Sequence, residues 1–153
     1  MLSIPRAEPT RFIFRTNFNS LLVISGLTAG AAPSVSVFDL DVSFNPTILS
    51  FGSVAFGDPV LGDQLDLLGL GSFTSTIVGV GTVNLLELSF DPAAVLNALQ
   101  PGDFTLATLT LNTLANGISS LGVVVNALGD SNGGIRLTFA VASLVFQSHR
   151  ACC

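Results

Sequence analysis

The stretch Phe38-Asp39-Leu40-Asp41-Val42-Ser43-Phe44 alternates apolar and polar residues without a break. Successive side chains of a β-strand point to opposite faces, so a strict period of two means a strand with one dry face and one wet face. Two other stretches repeat the arrangement. Ala107, Leu109 and Leu111 oppose Thr108, Thr110 and Asn112; Leu121, Val123 and Val125 oppose Gly122 and Asn126. Half-wet strands belong to antiparallel sheets that pack face to face.

Helical periodicity is nearly absent elsewhere. Short β-rich runs recur near Leu21–Ile24, Val35–Phe44, Leu49–Phe56, Phe73–Val78, Val83–Phe90, Phe104–Leu111, Ser119–Asn126 and Arg136–Phe146. Turn residues separate them: Asn45-Pro46, Gly57-Asp58-Pro59, Gly79-Val80-Gly81, Pro101-Gly102-Asp103, Asn116-Gly117 and the run Gly129 to Gly134. Runs at this spacing predict an all-β protein, a two-sheet antiparallel β-sandwich or a barrel. One short helix or turn is expected at 92–99, where Asp91 supplies an N-cap, Pro92 the first position and Ala-Ala-Val-Leu-Asn-Ala-Leu good helix formers.

The 153 residues suit one domain, and 49% apolar against 10% charged residues is ample for a core. No apolar run reaches the roughly 18 residues of a membrane helix. Charge is unevenly placed. There is no Lys, three of the five Arg precede Asn17, and from Asn19 onward two Arg face nine acids. Such a domain repels phosphate backbones, which excludes nucleic acid as a partner. Cys152 and Cys153 are adjacent at the end, where mutual bridging is geometrically poor, and no metal-type cysteine spacing exists.

Catalytic chemistry finds few residues. His149, the single histidine, has neither a nucleophile elbow nor a second histidine beside it, and the absence of Lys removes Schiff-base chemistry. Asp39 and Asp41 point the same way at about 7 Å, near the separation of an inverting glycosidase pair, but a solvated strand face gives the same pattern. An acidic ladder that recognises a partner is the intermediate reading. Asp58, Asp63 and Asp66 in the loop Gly57–Gly71 offer oxygen ligands for calcium, although no known calcium loop has that spacing. Gly129-Asp130-Ser131-Asn132-Gly133-Gly134 departs from a calcium loop where Gly134, Ile135 and Val141 stand, and reads as a hairpin turn. The GxG pairs at Gly69 and Gly79 lack a third Gly and a following helix, so nucleotide binding is rejected. Without Trp or Tyr, a sugar-stacking platform would rest on exposed Phe. The expectation is no enzyme and no cofactor.

The stretch Ser20 to Ser34 could be a secretion signal ending at Ala29-Gly30-Ala31, or a first strand and turn. Its strongly apolar run is only Leu21 to Ile24, and Phe12, Ile13, Phe14 and Phe18 interrupt the basic region before it. The strand is the better reading.

Two segments resemble one family. Phe38–Phe51, FDLDVSFNPTILSF, is similar to a cohesin signature, and Phe104–Val123, FTLATLTLNTLANGISSLGV, to the later cohesin strand-turn-strand. Gly57–Gly71 and Asn84–Pro101 between them resemble the cohesin-like domains of bacterial surface proteins bearing a PEP-CTERM sorting tail. The resemblance implies a jelly-roll sandwich of about nine strands spanning 21–146, with an atypical, poorly ordered segment at 1–20 and a tail at 147–153. It implies an exported, cell-surface binding or adhesion module that recognises a dockerin-like protein or a polysaccharide through one sheet face. Asp39, Asp41 and Ser43 would be contacts on that face. The alternatives are a structural domain of a surface or matrix protein without a discrete ligand and, more weakly, a carboxylate glycosidase fragment.

Overall fold

A computed structural model describes residues 17–130, 141–142 and 146–148. They form β1 (Asn17–Ile24), β2 (Val35–Ser43), β3 (Leu49–Phe56), β4 (Ser72–Gly79), β5 (Thr82–Ser89), α1 (Ala93–Leu99), β6 (Phe104–Thr113), β7 (Gly117–Ser119), β8 (Gly122–Asp130), β9 (Val141–Ala142) and β10 (Phe146–Ser148). One sheet has the order β3-β6-β1-β9 and the other β4-β5-β2-β8, while β7 pairs β10. All pairings are antiparallel. The expected two-sheet sandwich is therefore observed, and the chain crosses between sheets at most connections, as jelly-roll wrapping requires.

The alternation of β2 decides what lies inside. Phe38, Leu40 and Val42 are fully buried and meet Leu22, Ile24, Leu49, Leu109 and Leu111 of the opposite sheet, with Val83 and Leu85 beside them. Each such side chain contributes about 1.5–3 kcal/mol by leaving water. The Phe38 and Phe56 rings lie 6.2 Å apart, tilted by 32°.

Four details differ from the sequence reading. β1 begins at Asn17, which pairs with Asn112, so residues assigned to the atypical 1–20 segment join the sheet. The run Ser119–Asn126 divides at Ser120 and Leu121 into β7 and β8, and β8 continues to Asp130. β6 is not half-wet throughout. Thr105 and Thr108 are buried, because the turn after β3 folds over them; they donate to Asp58 Oδ2 (3.2 Å) and to the Gly57 carbonyl (3.0 Å). The helix is present, but Pro92 is its N-cap residue and no side chain caps it. Asp91 instead accepts the Leu67 N–H at 2.6 Å. The expected strand Arg136–Phe146 lies outside the described residues except for β9 and Phe146, as do residues 131–134 of the expected turn.

Two buried clamps fix the long loop between β3 and β4. Gln100, after α1, accepts the Val35 N–H (2.8 Å) and donates to the carbonyls of Val35 (2.7 Å) and Gln64 (3.0 Å). Gly57 opens the loop at φ 86°, where a Cβ would stand 2.6 Å from Asp63 Cα; only Gly fits.

Candidate functional site

The outer face of the β4-β5-β2-β8 sheet carries the predicted partner residues. Across it, Asp39 stands between Leu86 and Ala127, Asp41 between Asn84 and Val124, and Ser43 between Thr82 and Gly122. The alternation that buries Phe38, Leu40 and Val42 leaves Asp39 and Asp41 half-buried and Ser43 exposed. Gly122 makes room for Ser43: a Cβ there would lie 2.5 Å from its Oγ.

Two asparagines, not identified from sequence as site residues, organise the carboxylates. Asn84 Nδ2 donates to Asp39 Oδ1 at 2.6 Å and to Asp41 Oδ1 at 2.7 Å. Carboxylates only accept, so the amide nitrogen must face them. Asn126 Nδ2 donates to Asp39 Oδ1 at 3.3 Å. It reaches there because the register between β2 and β8 shifts at Asp39/Leu40, which places an extra β8 residue against one step of β2. The side-chain hydrogen bonds of Asn126 first and Asn84 second hold the Asp41 carboxyl below its ordinary value, against a smaller loss of hydration. A periodicity of two could not reveal this bulge, nor could sequence fix which β5 residue stands opposite Asp41.

One shared donor at 2.6 and 2.7 Å also corrects the expected separation of about 7 Å, since the two Oδ1 atoms must be closer. An inverting glycosidase pair needs a wider gap and an acid of raised pKa. The Asp41 carboxyl, held below its ordinary value, does not supply the raised acid of such a pair. Exposed apolar residues flank the carboxylates instead: Phe73 (53% exposed), Ile77 (64%), Leu88 (41%) and Val124 (59%). This is an anionic centre with a greasy border.

The calcium candidates do not converge on one another. Asp58 Oδ1 accepts the N–H groups of Val60 (2.8 Å) and Leu61 (2.9 Å), Asp63 Oδ1 that of Leu65 (2.9 Å), and Asp66 Oδ1 that of Gly71 (3.0 Å). Each is a turn-closing side chain of its own loop. Among the described residues no three His, Cys, Asp or Glu side chains are grouped to hold a metal ion. Beneath the loop lies a carboxyl that sequence did not flag. Glu87 of β5 is fully buried, and Ser72 Oγ donates to its Oε1 at 2.6 Å. Burial, then a hydrogen bond to Asp63, then the charges of Asp63 and Asp66 push it up to about 9, against the Ser72 bond. Oε2 has no hydrogen-bond partner among the described residues.

An open depression of about 270 Å³ lies elsewhere, lined by Phe44, Pro46, Phe51 and Val80 among others, and includes none of these acids. No described helix is long and apolar enough to cross a membrane.

No family model and no curated protein matches the sequence. Solved structures do match. The CaDoc0917–CaCohA2 complex, whose CaCohA2 is from Clostridium acetobutylicum, includes a chain superposing with a TM-score of 0.63 at 16% identity over 87% of this chain and 89% of that one. A cohesin module of a Clostridium perfringens family 33 glycoside hydrolase gives 0.60 at 16% identity, covering 89% of each. The sixth cohesin of Acetivibrio cellulolyticus scaffoldin B, in complex with a Cel5 dockerin, gives 0.55 at 20% identity, covering 83% and 82%. The fold is therefore cohesin-like.

Proposed function

We propose that this chain is a non-catalytic, cohesin-like binding module whose β4-β5-β2-β8 face recognises a protein partner of dockerin type. The Asp39–Asn84–Asp41–Asn126 network carries the reading. Two carboxylates are fixed by amides before any partner arrives, and exposed apolar residues surround them. Preorganised polar groups inside an apolar border form a recognition patch in which little ordering entropy is lost on binding. Structures of the same fold have been solved with dockerins, which supports the partner class.

Charge narrows the partner further. The described residues include nine acids and no Lys, Arg or His. A complementary surface is basic, with Lys or Arg aimed at Asp39 and Asp41, and its association slows as salt rises. The setting that fits is the bacterial cell surface or its secreted fraction, on a protein of the sorted, PEP-CTERM type. A polysaccharide is the second reading, favoured by the exposed rings of Phe73 and Phe90.

The test is titration calorimetry against a panel of dockerin modules and soluble glycans, with wild type and the Asp39→Ala/Asp41→Ala double variant. Binding of one dockerin, weakened about thirtyfold or more in the double variant, supports the proposal. Binding that the double variant leaves unchanged refutes the named face.

A further inference from the structure

Among the described residues, the four-stranded sheet that carries the acidic network ends in a strand with one unpaired edge. Among the described residues β4 pairs only with β5, in unbroken register from Ser72↔Ser89 to Gly79↔Thr82. A sheet edge displays free N–H and C=O groups, and natural proteins blunt it with bulges, charges, Pro or brevity. Two other ends of the four-stranded sheets are irregular among the described residues. β3 is bulged between Phe51 and Ser53, and the pairing of β8 with β2 shifts register twice. β4 reads SFTSTIVG, with no charge, no Pro and no bulge, and Phe73, Thr74, Thr76, Ile77 and Val78 are all exposed.

The sequence of β4 also specifies what fits it. An antiparallel two-fold through Ser75 sets Phe73 of one copy opposite Ile77 of the other on the outer face. The same operation sets Thr74 opposite Thr76 on the inner face. Aromatic with β-branched and Thr with Thr are favourable cross-strand pairs. A two-fold dimer interface must be self-complementary in this manner. Elsewhere the described surface is acidic without a base, so like copies repel; the uncharged edge is where they can meet.

We propose that two copies of this chain join through their β4 edges into one continuous eight-stranded sheet. The dimer presents two Asp39–Asp41 networks on the same face. The two β2 strands are five strand spacings apart, about 24 Å. If that face binds the partner proposed above, the pair is bivalent, and a tandem partner gains avidity without new contacts. The dimer itself does not depend on that reading.

Sedimentation velocity from micromolar to millimolar concentration tests the pairing. Wild type is expected to shift from monomer to dimer, Thr76→Lys to weaken the dimer roughly tenfold or more, and Val60→Lys, with the same charge change on an exposed loop, to dimerise as wild type does. Ser75→Cys, in a Cys152→Ser/Cys153→Ser background, reads the register: oxidation links it to its own copy, whereas Thr74→Cys does not self-link. It also serves if Thr76→Lys fails to fold. A wild type that stays monomeric throughout, a dimer untouched by Thr76→Lys, or β4 pairing solely with another protein's strand overturns the proposal.

Discussion

Replacing Glu87 by Gln should stabilise this protein at neutral pH. Glu87 is fully buried, its carboxyl is pushed up to about 9, and the charges of Asp63 and Asp66 oppose its ionisation. In the unfolded chain the same group ionises near its ordinary value of 4.5. Below that value both states hold the proton and its contribution to folding is fully present. Between 4.5 and about 9 only the folded state holds it, so stability falls as pH rises. The slope approaches about 1.4 kcal/mol per pH unit, which amounts to about 3 kcal/mol by pH 7. Gln keeps the shape and cannot ionise. Its Oε1 can accept from Ser72 as the acid does, and its Nε2 can donate toward the neighbouring Asp63. Thermal melts of both proteins across pH 4.5 to 9 provide the assay. Glu87→Gln should match wild type near pH 4.5 and melt on the order of 5–10 °C higher near pH 7.5. Equal melting temperatures at pH 7.5, or the same pH slope in both proteins, would refute the buried-proton account.

Three further outcomes follow from the geometry. Gln100→Ala orphans both polar groups of Val35 and the Gln64 carbonyl, and should cost about 2–4 kcal/mol in denaturant unfolding, with hydrogen exchange rising first in the loop after Gly57. Gly57→Ala forces a Cβ onto Asp63 at positive φ and should cost about 1–3 kcal/mol by the same assay. Asn126→Ala should move the Asp41 carboxyl back up toward 3.8 in an NMR titration. The lowered value of Asp41 supplies stability above that pH that is lost as pH falls through its folded value, so the variant should also flatten the acid limb of the stability curve.

Alternation made the sandwich and its inner face legible, because a period of two is a direct record of which side of β2 is dry. It located Asp39, Asp41 and Ser43 on the wet side for the same reason. Cross-strand register was not legible. Asn84 and Asn126 join the network only because β5 and β8 flank β2 and a bulge adds a residue to β8, facts set by tertiary pairing. Glu87 was hidden in an apolar-looking alternation, where one buried acid among Val83 and Leu85 leaves no local signal. Asp91 looked like a helix cap, but the loop after Gly57 took its carboxylate, a long-range contact that overrides a local preference. Asp58, Asp63 and Asp66, calcium candidates by residue type alone, each accept a backbone N–H within their own loop. Acids in a Gly-rich loop serve turns as readily as metals, so residue type alone did not reveal the turn-closing bonds they make.

The acidic, apolar-bordered face is the surface proposed to bind the partner. Amide hydrogen exchange of the chain alone and with a bound dockerin module measures it directly. Protection concentrated on the β2, β5 and β8 segments around Asp39, Asp41, Asn84 and Asn126, and lost in Asp39→Ala/Asp41→Ala, is the result expected. Protection confined to β3 and β6 on the opposite sheet would contradict it.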